Sequence, residues 1–299
     1  MKSTNKISYI FKGVATALIT PFREGKIDYP ALFNIIENQI SSNIPALVLC
    51  GTTGESATLS QRERESIICA AAERIDGRVP LIVGVGTNDT ATSIKNARFA
   101  SSHGADALLI VTPYYNKGTK GGVVEHYKRI ASETDAPIIV YNVPSRTGVD
   151  ISISQMSQLE NEKNIVAIKE ASPSIEKAEL FIRTFGDRYA LYSGNDSHIL
   201  PTIAIGGLGV ISVISNILPK ETNAICNLFF TGKTEESKHA QLRLLNLINL
   251  LFEDTNPAPV KYASYLLGMC QNELRLPLAP IEDGLKEKIK EELFSIIES

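Results

Sequence analysis

The stretch NIVAIKEAS, residues 164–172, runs through four apolar residues and then places a lysine. Ile165, Val166, Ala167 and Ile168 read as a short strand with both faces buried. A charged ammonium at the end of such a run costs several kcal/mol to bury, or it gives up its proton. Three outlets are open to Lys169: it reaches water past the strand end, it pairs with Glu170, or its uncharged form is what the site uses. A free lysine is neutral in only about one molecule in 2,500 at pH 7, and only the neutral amine attacks a carbonyl to form a Schiff base.

The run is one of eight. GVATALIT (13–20), PALVLCG (45–51), VPLIVGVG (79–86), ADALLIVT (105–112), APIIVYNV (136–143), IVAIKEA (165–171), YALYSG (189–194) and LGVISVIS (208–215) share its continuous apolarity. Each is followed by a polar turn and a helical pattern, which is the signature of a parallel sheet. Ser60-Gln-Arg-Glu63 forms a capping box that opens one helix, and Ser172-Pro173 reads as an N-cap with proline behind it. Eight strand–helix units most simply close into a barrel, so the expected fold is α/β, a (β/α)8 TIM barrel with a C-terminal helical extension. A doubly wound open sheet is the competitor. It usually carries a glycine-rich dinucleotide fingerprint, and GVGTND (84–89) and GGLG (206–209) match that poorly. Beyond the eighth run only helical patterns remain, with Leu285, Ile289, Leu293 and Ile296 on one face of the last. This divides the chain into a barrel, residues 1–224, and a helical part, residues 225–299.

Composition narrows the function classes. Thirty basic and 33 acidic residues leave a net charge of −3, which sets up no field for nucleic acid or an anionic membrane. The opening MKSTNKISYIFKG is too sparse in apolar residues for a signal segment, and no run has the length of a membrane helix, so a soluble, cytoplasmic protein is expected. Cys50, Cys69, Cys226 and Cys270 lie far apart and read as core thiols rather than disulfides or metal ligands. His103, His126, His198 and His239 lack metal-ligand spacing and read as surface or capping residues. No metal and no cofactor is expected.

In such barrels the reactive groups sit on the loops leaving the C-terminal strand ends. These are GTTGES (51–56), TPYYNK (112–117), YNVPSRTG (141–148), KEAS (169–172) and SGND (193–196), rich in hydroxyls, amides and glycines around Lys169 and Arg146. That composition suits a small, oxygen-rich anion. Tyr141 and Lys169 end adjacent strands, so a phenol stands where it can shuttle protons for the amine. Thr52 and Thr53, between two glycines, can offer backbone N–H and hydroxyl groups to a carboxylate, and Arg146 can offer a bidentate fork to a second one. Each also has an ordinary reading: a barrel tyrosine, a glycine-bounded loop, a solvated arginine.

Taken together and in order, GTTGES, VTPYYNK, YNVPSRTG, IKEAS, SGND, GVISV and LRLPL (274–278) resemble the 4-hydroxy-tetrahydrodipicolinate synthase (dihydrodipicolinate synthase) family across nearly the whole chain. The resemblance implies a lyase with a class I aldolase mechanism, working in lysine and diaminopimelate biosynthesis as a homotetramer of two tight dimers. It implies that Lys169 forms the Schiff base with pyruvate and that Tyr141 is the general acid and base. Thr52 would relay protons, with Tyr115 supplied by the neighbouring subunit. Thr53, Gly194 and Ile211 would hold pyruvate, and Arg146 would meet the carboxylate of L-aspartate 4-semialdehyde.

One departure stands out. Family members inhibited by lysine carry histidines and a glutamate where this chain has Gln61, Arg64 and Thr92, although Ser56, Ala57, Asn88 and Tyr114 fit. Weak or absent lysine feedback is therefore expected. The nearest alternatives are N-acetylneuraminate lyase and keto-deoxy sugar acid aldolases, which resemble the chain at Lys169 and Tyr141 but usually lack the arginine of YNVPSRTG. A non-catalytic barrel with a structural lysine and a phosphate-binding isomerase are more distant; the latter finds no glycine-rich loop in ISNILP (214–219).

Overall fold

A computed structural model describes residues 9–298, so the opening residues 1–8 and Ser299 lie outside it. Eight parallel strands form a closed barrel: β1 (Gly13–Ala17), β2 (Ala46–Leu49), β3 (Leu81–Gly84), β4 (Ala107–Val111), β5 (Ile138–Asn142), β6 (Ile165–Glu170), β7 (Ala190–Ser193) and β8 (Gly209–Ser212). All eight lie within the apolar runs of the sequence. Among the described residues twelve α-helices follow or flank them: α1 (Tyr29–Ser41), α2 (Gln61–Ile75), α3 (Thr90–Ser102), α4 (Lys120–Ala131), α5 (Pro144–Thr147), α6 (Ile153–Ser157), α7 (Ile175–Phe185), α8 (Ile199–Ala204), α9 (Pro219–Phe230), α10 (Thr234–Leu250), α11 (Ala258–Leu266) and α12 (Asp283–Glu298). A small hairpin, Phe22–Arg23 against Lys26–Ile27, leaves β1.

Continuous apolarity is needed because each strand packs on two cores. One face, with Val140 and Ile168, meets the helices; the other, with Ala15, Ala46, Ala107, Ile139, Ala167 and Ile211, fills the barrel. Each fully buried Ile or Leu contributes about 1.5–3 kcal/mol. The interior is rich in alanine, which leaves room for large groups. Tyr192 is one, stacked on Phe11 with ring centroids 4.1 Å apart and donating its hydroxyl to the Phe11 carbonyl at 2.7 Å. The barrel closes where β8 meets β1. There Gly209, at φ +152°, runs so near the opposite strand that a Cβ would lie 1.8 Å from the Gly13 carbonyl oxygen. Gly209 of GGLG thus serves the seam of the barrel.

The capping box at Ser60 and Glu63 opens α2 as expected. The N-cap expected at Ser172 is corrected to Ser174, whose hydroxyl accepts from the Lys177 N–H at 3.1 Å. The Ser172 N–H is already taken by the Glu170 carboxylate at 2.7 Å, which holds Ser172 on the strand side of the turn. The boundary expected at residue 225 falls inside α9, which packs on β1, α8 and α10. Leu285, Ile289, Leu293 and Ile296 do form the buried face of α12. Among the cysteines, Cys69 is exposed rather than in the core. His126 corrects the surface part of the surface-or-capping reading of the histidines: it is 5% exposed, with Nδ1 bonded to the Thr90 hydroxyl at 2.9 Å and Nε2 without a partner among the described residues. Burial pushes its imidazole down to about 4, against the attraction of Asp89.

Candidate active site

Alternation along β6 answers the question posed by its sequence. Ala167 and Ala171 belong to the barrel interior and Ile168 to the helix side, so Lys169 points inward at the mouth. It is 6% exposed and forms no hydrogen bond or ion pair within 4.0 Å among the described residues. Glu170, one residue on and facing outward, is engaged elsewhere. Its carboxylate accepts from Asn142 Nδ2 at 2.9 and 3.0 Å and lies 3.3 Å from Lys177 Nζ. Pairing with Glu170 is therefore not how Lys169 is accommodated.

Tyr141 sits opposite Lys169 in the β5–β6 register, and the lysine Nζ lies 4.3 Å from its ring centroid. At the exit of the neighbouring strand β7, Gly194 leaves the space the lysine stem occupies. A Cβ there would come within 2.5 Å of Ala171 Cβ and 3.1 Å of Lys169 Cε. A cavity of about 530 Å³ opens over these groups, lined by Thr52, Thr53, Tyr141, Arg146, Lys169 and Gly194 together with Val213 and residues 252–256. Six of the eight residues expected from the sequence thus share one cavity.

The other two do not line it. Ile211 is fully buried one layer below, among the barrel-filling residues, and Val213 is the β8-side residue that reaches the cavity. Tyr115 stands 90% exposed at φ +66° and lines a neighbouring cavity of about 620 Å³, which shares Thr52, Val143, Arg146 and Asn256 with the first. The second cavity also holds Ser56, Ala57, Gln61, Arg64, Thr92 and Tyr114. Arg64 is spent on backbone carbonyls, donating to Gly84 at 2.8 Å and Ser56 at 2.9 Å.

Several contributors were not legible in the sequence. Asn256 donates its Nδ2 to Thr53 Oγ1 at 3.0 Å and accepts from Arg146 on its carbonyl at 2.9 Å, so one residue ahead of α11 ties two site residues together. Asp196 is 1% exposed and accepts from the N–H groups of Val213 and Ile214 at 3.0 and 2.9 Å, which joins the exits of β7 and β8. Burial pushes its carboxyl up, opposed by those amides, the Ser212 hydroxyl and the Lys169 side chain. Glu55 is the third, and its partners are described below. Asp196 and Glu55 stood inside SGND and GTTGES, but nothing local marked them as buried. Among the described residues no three His, Cys, Asp or Glu side chains cluster as a metal site, and no helix is long and apolar enough to cross a membrane.

A closed barrel whose mouth offers an unpaired inward lysine beside a tyrosine, ringed by small hydroxyls, belongs with the lysine-bearing, aldolase-type barrels. Within that class the chain belongs to the dihydrodipicolinate synthetase family, whose model matches residues 10–296. It is 44% identical to the 4-hydroxy-tetrahydrodipicolinate synthase of Alkaliphilus oremlandii over 284 residues, 95% of this chain and 98% of that one. Among solved structures it resembles the dihydrodipicolinate synthase of Thermotoga maritima, with TM-score 0.93, 40% identity and coverage of 96% and 99%. It also resembles the chloride-inhibited enzyme of Acinetobacter baumannii complexed with pyruvate, with TM-score 0.93, 36% identity and the same coverage.

Proposed function

We propose that this chain condenses pyruvate with L-aspartate 4-semialdehyde to give 4-hydroxy-tetrahydrodipicolinate and water. The observation that carries the reading is Lys169 itself, inward, without an ion pair among the described residues, beside Tyr141 and under a cavity open to solvent. Its Nζ adds to the keto carbon of pyruvate, and the carbinolamine loses water to give an iminium, with Tyr141 moving the protons. Loss of a methyl proton yields an enamine whose carbon attacks the aldehyde. The substrate's own amine then displaces Lys169 from the iminium carbon and closes the ring, so the single water released is the one lost from the carbinolamine. Thr53 and Thr52 would receive the pyruvate carboxylate, and Arg146, on α5 at the rim, the carboxylate of the second substrate.

Borohydride added with pyruvate tests the first half: the peptide holding Lys169 is expected to gain the mass of the reduced adduct. Absence of that adduct would sink the reading. Arg146 favours the synthase over the sugar-acid aldolases, and a coupled assay set against sialic acid and keto-deoxy sugar acids tests that preference. The same proposal includes a cytoplasmic homotetramer in which Tyr115, exposed in one chain, completes the proton relay of its neighbour; sedimentation and a Tyr115→Phe variant bear on it. The division into a catalytic barrel and a helical unit is also part of it, with the join best drawn after α9.

Lysine feedback is proposed to be weak. A lysine ammonium in the second cavity would meet Thr92 where a carboxylate is wanted, and Arg64 brings positive charge. Inhibition by lysine below about 1 mM, roughly the midpoint of a weak ionic contact at about −4 kcal/mol, would contradict this.

A further inference from the structure

Glu55 ends the turn that carries Thr52 and Thr53, in a left-handed conformation at φ 51°. Its side chain is completely shielded, and its two oxygens reach two places in the C-terminal part of the chain. Oε1 accepts from Lys261 Nζ, and Oε2 accepts from the Arg275 backbone N–H at 3.0 Å. Lys261, on α11, is equally shielded, and its Nζ lies 4.3 Å from the ring centroid of Phe22. The guanidinium of Arg275 lies over the same ring at 4.4 Å and donates to the carbonyls of Thr58 at 3.0 Å and Gly25 at 2.8 Å and to the Glu63 carboxylate. Three segments remote in sequence therefore meet on one buried ion pair.

A buried ion pair is a poor way to achieve cohesion alone, because well-packed apolar side chains would do as well or better. What it adds is direction, since charge-assisted bonds fix position as well as contact. Its placement gives that direction a use. Asn256, two residues before α11, bonds Thr53, while Lys261 on that helix bonds Glu55 at the end of the same turn. The turn is gripped on both sides of Gly54, where a Cβ would stand 3.2 Å from the Leu18 carbonyl oxygen.

We propose that Glu55 and Lys261 are positioning residues for the Lys169 site, holding the Thr52–Thr53 turn in register with Asn256 and Arg146 so that the keto-acid carboxylate is received where the amine can attack. This rests on the reading of the Lys169 cavity given above. The helical C-terminal part then acts on catalysis as well as on assembly.

The test compares folded variants by the pyruvate concentration that gives half-maximal borohydride trapping at Lys169, with no second substrate present. The double variant Glu55→Gln, Lys261→Met removes both charges, and Glu55→Asp keeps the pair while shortening its reach. Ile289→Ala, on α12 and remote from the cavity, serves as a control for lost stability. Both pair variants are expected to need about tenfold more pyruvate at temperatures well below their unfolding midpoints, with a smaller fall in kcat in a separate coupled assay with both substrates, while the control traps as wild type does. Pair variants that trap at wild-type pyruvate concentrations, whatever their midpoints, overturn the proposal. Should the double variant not fold, Glu55→Asp decides alone. Failure of wild-type protein to trap pyruvate would strike the reading of the cavity, and it is seen before any variant is made.

Discussion

Lys169 and Lys261 are both buried, at 6% and 0% exposure, and the molecule treats them in opposite ways. Lys261 lies where nothing enters, and it is given a carboxylate, an aromatic face and a fixed place on a helix. Desolvation still pushes its ammonium down, and Glu55 opposes that. Lys169 has the face of Tyr141 and, among the described residues, no carboxylate within 4.0 Å, only the more distant charge of Asp196, and beside it lie a glycine, an alanine and an open cavity. Complete burial without a ligand requires a charged partner; burial beside a cavity leaves the amine free to be partnered by substrate. The same side chain is thus a fastener in one region and a reagent in the other.

Replacement by an uncharged side chain should separate the two. Lys169→Ala is expected to reduce turnover by about ten-thousandfold or more, the scale on which loss of a nucleophile is felt, with a thermal midpoint within a few degrees of wild type. A coupled assay and a melting curve measure both, and a variant retaining a hundredth of the activity would end the role of this amine as nucleophile. Lys261→Met should act first on stability, and on catalysis only through a weaker hold on pyruvate. It strands Glu55 as an unpaired buried charge and should cost about 4 kcal/mol of stability, read by urea unfolding. An unchanged urea midpoint would mean that the pair does not hold the fold together, and the contrast between the two lysines would dissolve.

How much of this could be read in advance follows from the range of the interactions. The barrel was legible because burial on two faces is a local, continuous signal, repeated in all eight runs. Lys169 was legible for the same reason inverted, as a polar residue interrupting such a run. The start of α7 was misplaced by two residues because Ser172 and Ser174 are equal candidates in sequence, and only the capture of the Ser172 N–H by Glu170 separates them. Ile211 stood in the right strand, but the apolar run could not say which of its inward residues reaches the cavity and which lies below it. The Glu55 cluster was illegible because its bonds join residues 206 and 220 positions apart, and the bond of Asn256 to Thr53 spans 203. No local pattern encodes such contacts; LRLPL could be matched as a motif, but the part its arginine plays required the fold.

A third buried base sharpens the comparison, with the smallest expected effect. His126 has neither a carboxylate bonded to it nor a catalytic cavity over it, only the Thr90 hydroxyl on one nitrogen and the edge-on ring of Tyr127 beside it. Burial lowers it from 6.5 to about 4, so at neutral pH it is uncharged in the folded chain and mostly uncharged in the unfolded one. As pH falls below about 6.5 the unfolded chain takes up a proton that the folded one refuses, and stability is lost until the folded group also titrates near 4. A shift of that size corresponds to at most about 3 kcal/mol, reduced by whatever water reaches the ring. His126→Gln keeps a polar partner for Thr90 and removes the titration. Urea midpoints measured from pH 7 to pH 4 should therefore fall less steeply for the variant than for wild type, by about 2 kcal/mol over that window. Parallel curves would show that burial alone does not strip the proton from a base here. The distinction drawn between Lys261, whose carboxylate partner opposes the desolvation, and a base discharged by its surroundings would then have to rest on something other than the carboxylate.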